Sequence, residues 1–198
     1  RSVKEVAVKD VQGFLIGSLG LGESPEQRET ALRHVIAELP ASKPRWIQGL
    51  GSPEEVLACV AEGVDIFDSA YPYTQSQLGC ALTFPVALKD VTEFAASGVK
   101  GPDSDLVQGK VDLRDTCHAL DASPLVAGCE CFACRRHSRA YIHHLLNTHE
   151  MLADLLLNIH NLHHYYKFFA AIQEAIASDC LPTYAAGFTA IRKSRCPK

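Results

Sequence analysis

No stretch of this chain approaches the roughly 18 to 20 consecutive apolar residues that a membrane-spanning helix needs. No hydrophobic leader opens it either, so no integral membrane segment is expected. Strong charge of one sign is also lacking. The 19 Lys and Arg residues stand against 23 Asp and Glu, a net charge of −4 with a pI near 6.1. That balance excludes a global cationic field for nucleic acid and leaves a local basic patch, or a contact shared with a partner. A disulfide framework is missing too. Of eight cysteines, three fall at 129, 131 and 134 and the rest (59, 80, 117, 180, 196) are scattered, which reads as usage for a reducing compartment. Repeats and low-complexity tracts are absent. What is present is ordinary globular material: 47% hydrophobic and 21% charged residues over 198 positions, enough for one domain or one domain with a small appendix. Arg1 and not Met opens the chain, so the expectation is a fragment whose targeting signals lie outside it.

The first third alternates short apolar runs with helical stretches. Gly13 to Ile16 reads as a strand, Pro25 to Glu38 as a helix and Arg45 to Gln48 as a second strand. Ser52-Pro53-Glu54-Glu55 then supplies an N-cap, a proline at the first helical position and a glutamate at the third. The helix so begun runs to Glu62, and Val64 to Phe67 forms the next strand. This β-α-β-α-β order makes a parallel α/β sheet, either doubly wound or part of a (β/α)8 barrel. The strands end in Gly17-Ser18-Leu19-Gly20, Gly49-Leu50-Gly51 and Asp68, and C-terminal strand ends are where barrel active sites sit. Since a barrel needs about 250 residues, the expected fold is the C-terminal part of one.

The pattern changes further on. Residues 89–120 form a polar, Gly/Asp/Ser-rich and partly mobile insert in which only Lys110 to Leu113 looks strand-like. Beyond the cysteine cluster, Ser138 to Leu146 and Glu150 to Ser178 have helical spacing, the second with an apolar face of Leu152, Leu155, Leu156, Ile159, Leu162, Tyr166 and Phe169. Asn147-Thr148 is the expected break between them. The expected division is 1–88 for the barrel units, 89–120 for the insert, and 121–198 for a metal-binding subdomain with closing helices.

Cys129-Glu130-Cys131 sets two thiols two positions apart, as an extended strand does, and Cys134 follows after a short turn. Three thiolates facing one point favour zinc, which wants a fourth ligand. Seven of the nine histidines lie between 137 and 164, so the spacing must choose. His160, 26 positions after Cys134, would staple the long helix to the cysteine turn. His163 and His164 share a nearby face and stay open as alternatives, as does a set of free buried thiols. Asp68 has two readings: a covalent nucleophile in glycosyl transfer, or a loop cap.

Cys129-Glu-Cys-Phe-Ala-Cys134, Ser138-Arg-Ala-Tyr-Ile-His-His-Leu145 and Ile159-His-Asn-Leu162 closely resemble the zinc subdomain of the tRNA-guanine transglycosylase family. Gly17-Ser-Leu-Gly-Leu-Gly-Glu23, Lys43-Pro-Arg45, Gly49-Leu-Gly-Ser-Pro-Glu54 and Gly63-Val-Asp-Ile-Phe-Asp68 are similar to successive motifs of the same family. The resemblance implies a (β/α)8 barrel with an inserted zinc subdomain that exchanges the wobble guanine of certain tRNAs for queuine. It implies one structural Zn2+ on Cys129, Cys131, Cys134 and His160, a base pocket at Gly17, Ser18, Leu19 and Gln48, and Asp68 at the nucleophile position.

Departures from the family accompany the matches. Where the family follows its nucleophile with arginines that hold the anticodon, this chain has Pro72-Tyr-Thr-Gln-Ser-Gln-Leu-Gly79, with Thr74 and Gln77 in their places. The Gly-Gly of the pocket floor becomes Gly17-Ser18, and a usual Met becomes Gln48. Gly79-Cys-Ala-Leu-Thr-Phe84 and Tyr71-Pro-Tyr73 resemble the eukaryotic accessory, non-catalytic branch. The expectation is a subunit that binds tRNA and queuine and forms a heterodimer with a catalytic queuine tRNA-ribosyltransferase subunit, or a homodimer. It would use a surface of Tyr141, His163, His164, Tyr165 and Tyr166. A cytoplasmic place is expected, including a peripheral one on the mitochondrial outer membrane. The competing readings are a catalytic transglycosylase using Asp68 and a zinc-stabilised interaction module unrelated to tRNA.

Overall fold

In the computed structural model, residues 2–89, 91–92 and 108–193 are described. Backbone contacts divide the chain into two compact units after Tyr71. The first opens with α1 (Ser2–Ala7) and continues as β1 (Phe14–Ile16), α2 (Pro25–Glu38), β2 (Arg45–Gln48), α3 (Pro53–Glu62) and β3 (Ile66–Asp68). The strands are parallel in the order β1-β2-β3, with Leu15 opposite Trp46 and Trp46 opposite Ile66.

Both crossover helices start the same way. Ser24 and Ser52 are N-caps followed by proline, and Gln27 and Glu55 complete reciprocal capping boxes, the second of which the sequence announces. The sequence places the third strand at Val64 to Phe67, but the ladder begins at Ile66. The Val64 N–H is taken by Cys59 O at 3.0 Å as α3 closes over left-handed Gly63. The helices bury Phe14, Ile16, Leu32, Ile47, Leu50 and Cys59 on one side of the sheet. On the other side the register row Leu15, Trp46 and Ile66 is 54%, 37% and 46% exposed. The sheet is open, and no closed barrel forms among the described residues.

The second unit comprises α4 (Tyr71–Gln77, its first residue at the boundary), the antiparallel pair β4 (Cys80–Leu82) and β5 (Lys110–Asp112), and a 3-10 turn at Thr116–His118. Four helices follow: α5 (Phe132–Arg136), α6 (Arg139–Asn147), α7 (Met151–Ala177) and α8 (Leu181–Lys193). Because β4 and β5 pair across the polar segment, the contact boundary differs from the compositional ones after 88 and 120. Residues 90 and 93–107 of that segment, and with them its expected mobility, lie outside the described residues.

Helix α7 is the spine of this unit, but its buried face coincides only in part, at Leu156 and the half-buried Ile159 and Phe169, with the apolar one read from the sequence. It buries Leu156, Leu157, His160, Asn161, His164 and Phe168, whereas Leu152, Leu155, Leu162 and Tyr166 are exposed. Burial is possible for these polar groups because each finds a hydrogen-bond partner in the backbone. Further along, Phe84, Phe168 and Phe188 meet edge-on or tilted at 5.2 to 5.9 Å, closing α7 and α8 over the strand end.

Candidate metal centre

Cys131 is not the end of an extended strand as its spacing implied. It is the N-cap of α5, and its Sγ accepts the Cys134 N–H at 3.3 Å. Cys134 therefore sits in the first helical turn, and its thiol faces the same point as those of Cys131 and Cys129. From α7, His160 Nδ1 lies 3.8 Å from Cys129 Sγ, 3.5 Å from Cys131 Sγ and 3.3 Å from Cys134 Sγ. All four ligand atoms fall within 4.8 Å of one another.

The three sulfur–nitrogen separations, 3.3 to 3.8 Å, bracket the edge of about 3.5 Å that metal–sulfur and metal–nitrogen bonds of about 2.3 and 2.0 Å make in a tetrahedron. His160, fully buried, donates from Nε2 to Leu82 O at 2.9 Å. That bond fixes the tautomer and leaves the Nδ1 lone pair aimed at the thiols. The residues fit a metal of the soft or borderline kind, in a closed set of four protein ligands.

The protonation chemistry agrees. Burial pushes the His160 imidazolium down, but hydrogen bonds with Cys129 and Cys131 outweigh it and raise the group to about 9. Hydrogen bonds from Cys131 and Cys134 pull the Cys129 thiol well below its ordinary value. A cation bound there would displace the protons these groups carry.

The two alternative histidines do not reach this point. His164 donates from Nε2 to Phe84 O at 2.8 Å and packs edge-on against the Phe84 ring, and burial with the nearby His160 pushes it down to about 3. His163 lies outside the four-ligand cluster, and its Nε2 is buried without a partner. Spacing alone did not reveal Asn161. Fully buried, it accepts the Leu82 N–H at 2.8 Å and donates to Ser76 Oγ and Cys80 O at 2.9 Å and to Pro72 O at 3.4 Å. With His160 and His164 it occupies the edge of β4 that β5 leaves free.

The other candidate residues lie at the C-terminal ends of the parallel strands. Gly17, Ser18 and Leu19 follow β1, Gln48 ends β2 and Asp68 ends β3. Gln48 and Asp68 are register partners, and Gln48 Nε2 donates to Asp68 Oδ2 at 3.3 Å. Ser18 holds a left-handed φ of 63°. Asp68 and Gln48 are exposed, as are Thr74 and Gln77 on α4. Between Arg45 and Lys89 the chain carries no Lys, Arg or His, and its charged groups there are Glu54, Glu55, Glu62, Asp65 and Asp68.

A profile of the queuine tRNA-ribosyltransferase family matches residues 1–194. The human queuine tRNA-ribosyltransferase accessory subunit 2 is 40% identical over 200 residues, 91% of this chain and 48% of its own length. The protein of that name from Xenopus tropicalis is 40% identical over 195 residues, covering 89% of this chain and 47% of its own length. The one from Culex quinquefasciatus is 41% identical over 176 residues, or 86% and 38%. The chain thus spans at most about half the length of these relatives. It belongs to the queuine tRNA-ribosyltransferase family and is homologous over most of its length to accessory subunit 2.

Proposed function

We propose that this chain is the C-terminal half of a non-catalytic queuine tRNA-ribosyltransferase subunit, which supports replacement of the wobble guanine by queuine through pairing with a catalytic subunit. The observation that carries this reading is the cation-free run from Trp46 to Leu88, which includes the strand ends at Gln48 and Asp68 and the exposed face of α4. Phosphates and anticodon bases are positioned chiefly by Arg and Lys. A charge-assisted hydrogen bond contributes about 1.5 to 3 kcal/mol, so two such contacts missing at Thr74 and Gln77 weaken placement of tRNA by orders of magnitude. Asp68 then lacks a positioned substrate.

Further parts belong to the reading. Parallel sheets are covered on both faces, and the exposed row Leu15, Trp46 and Ile66 fits the inward face of a (β/α)8 barrel completed by other strands. The Cys3His set suits Zn2+, which when bound supplies four bonds tying α5 to α7 and leaves no position for a substrate. The partner face is the exposed side of α7, where Leu152, Leu155, Leu162 and Tyr166 recur at three- to seven-residue intervals. Of the surface expected from the sequence, His164 and Tyr165 are buried and do not belong to it. Queuine binding at Gly17, Ser18, Leu19 and Gln48, contact with tRNA, and a cytoplasmic place that includes the mitochondrial outer surface complete the proposal.

A catalytic reading is favoured by one observation: Asp68 ends β3 within hydrogen-bonding reach of Gln48. The deciding experiment is queuine incorporation into tRNA by the full-length protein, alone and mixed with the catalytic subunit. Incorporation only in the mixture, unaffected by Asp68→Asn in this chain, is expected. Turnover by this protein alone, abolished by Asp68→Asn, would overturn the accessory reading.

A further inference from the structure

Arg28 lies on α2, away from the strand ends, yet its guanidinium reaches the loops after both β1 and β2. Its Nε donates to Glu23 Oε1 at 2.8 Å and its Nη1 to Glu55 Oε1 at 2.6 Å, and the side chain is 15% exposed. Each carboxylate uses its remaining capacity on backbone. Glu23 accepts the N–H groups of Gly20 at 2.5 Å and Leu21 at 2.9 Å, in the loop that carries Gly17, Ser18 and Leu19. Glu55 Oε2 accepts the N–H groups of Gly51 at 3.3 Å and Ser52 at 3.1 Å, in the loop that follows Gln48. One cation therefore holds two carboxylates, and each carboxylate holds one strand-end loop. The loops also touch: a Cβ on Gly20, which has φ of +80°, would meet Leu50 Cδ2 at 3.0 Å.

We infer that Arg28 is a positioning residue that locks the two strand-end loops into one shared arrangement. Its placement of a base pocket rests on the reading of these strand ends given above, whereas its action on the loops does not.

The lock depends on charge at both carboxylates. The Arg28 guanidinium and the Gly20 N–H hold Glu23 down at about 2, so the carboxylate stays an acceptor throughout the physiological range. Glu55 is also lowered, its backbone bonds to Ser52 outweighing partial burial. The other titratable groups beside Arg28 are Glu29, Glu54 and Glu62, which line the same groove between α2 and α3, and the buried Cys59 thiol, pushed up to about 11 by burial. Without the guanidinium, Glu23 titrates nearer the usual carboxylate range and releases Gly20 and Leu21 as it takes up a proton.

The test is backbone amide exchange on the full-length protein. Arg28→Met is expected to speed exchange at Gly20, Leu21, Gly51 and Ser52 together, by about tenfold or more for lost charge-assisted bonds, while the central-strand amide of Ile47 is unchanged. It also makes Gly20 and Leu21 lose protection, measured against their intrinsic exchange rates at each pH, on acidification through the ordinary glutamate range, where wild type stays protected. Loosening of one loop without the other, or an unaltered pH profile, overturns the inference.

If Arg28→Met fails to fold, with Ile47 also unprotected, Glu23→Gln and Glu55→Gln carry the test. With Arg28 present each is expected to loosen the distant loop as well as its own, and strictly local effects sink the idea. Guanine binding by calorimetry, weakened in Arg28→Met, reports on the base pocket separately. If the loops loosen together and guanine binds neither form, the lock stands and the pocket assignment falls.

Discussion

Asn161 and His160 are adjacent on α7, but only one of them was readable. Cysteines at 129, 131 and 134 make a metal site legible by type and spacing, and the family resemblance picks His160 from among its neighbours; geometry then separates it from His163 and His164. Asn161 left no such trace, because a polar residue inside a helix has no periodic signature and its partners Pro72, Ser76, Cys80 and Leu82 lie far away in sequence. Asn161→Ala leaves the Leu82 N–H and the Cys80 carbonyl buried without this partner. A loss of about 2 to 4 kcal/mol is expected from chemical denaturation, with metal content unchanged; a loss within experimental error would show that the network contributes nothing. Glu23 gives the acid limb of stability its sign. Its carboxyl is lowered from 4.5 to about 2 in the folded chain, so the unfolded chain binds more protons between those values. The stability it contributes is present above 4.5 and lost as pH falls towards 2. Glu23→Gln is expected to flatten that part of the stability–pH curve, and an unchanged slope would assign the acid sensitivity elsewhere.

Elements were legible where their ends carry chemistry. The Ser-Pro start of α3 declares itself through its capping box, and Ser138 caps α6 through the Tyr141 N–H at 3.2 Å. By contrast β4 is only three residues long and buried throughout, so it shows no alternation, and α4 and α8 contain proline or glycine that masks their helical spacing. The short α5 was hidden for another reason: its N-cap is a cysteine, whose role in metal binding conceals its role in capping. That double role makes Cys131→Ala informative. The substitution removes a ligand and the Sγ that receives the Cys134 N–H, and a structural metal contributes directly to folding. Wild-type protein purified without chelator is expected to hold one zinc per chain by elemental analysis. The variant should lose it and exchange amides faster in α5 and α7, with α2 and α3 unaffected. Retained zinc together with wild-type melting would refute a structural role for the centre.

At the scale of the molecule, charge and apolar surface are distributed unevenly, and function is read from that unevenness. Residues 46–88 carry only acidic charge, whereas 131–149 carry Arg135, Arg136 and Arg139 with no Asp or Glu. The sequence alone could not tell which apolar residues of α7 are core and which are surface, because both faces are rich in leucine and aromatic side chains. The structure separates them. The inward face mixes Leu156, Leu157 and Phe168 with polar groups that bond to the backbone of residues 80–84, leaving Leu155 at 55% and Tyr166 at 73% exposure on the outward face, with Leu152 and Leu162 beside them. On the proposed reading this stripe is the partner face, and charging a central anchor of such a surface costs binding. Leu155→Glu therefore distinguishes a partner face from incidental exposure. In the full-length protein it is expected to weaken association with the catalytic subunit at least about tenfold, corresponding to about 1.4 kcal/mol, and to reduce queuine incorporation by the mixture in proportion. Its melting temperature and zinc content should stay close to those of wild type, since Leu155 is 55% exposed and lies outside the four-ligand cluster. Sedimentation of the mixed subunits reads the first effect directly. An undiminished heterodimer would move the partner face off α7.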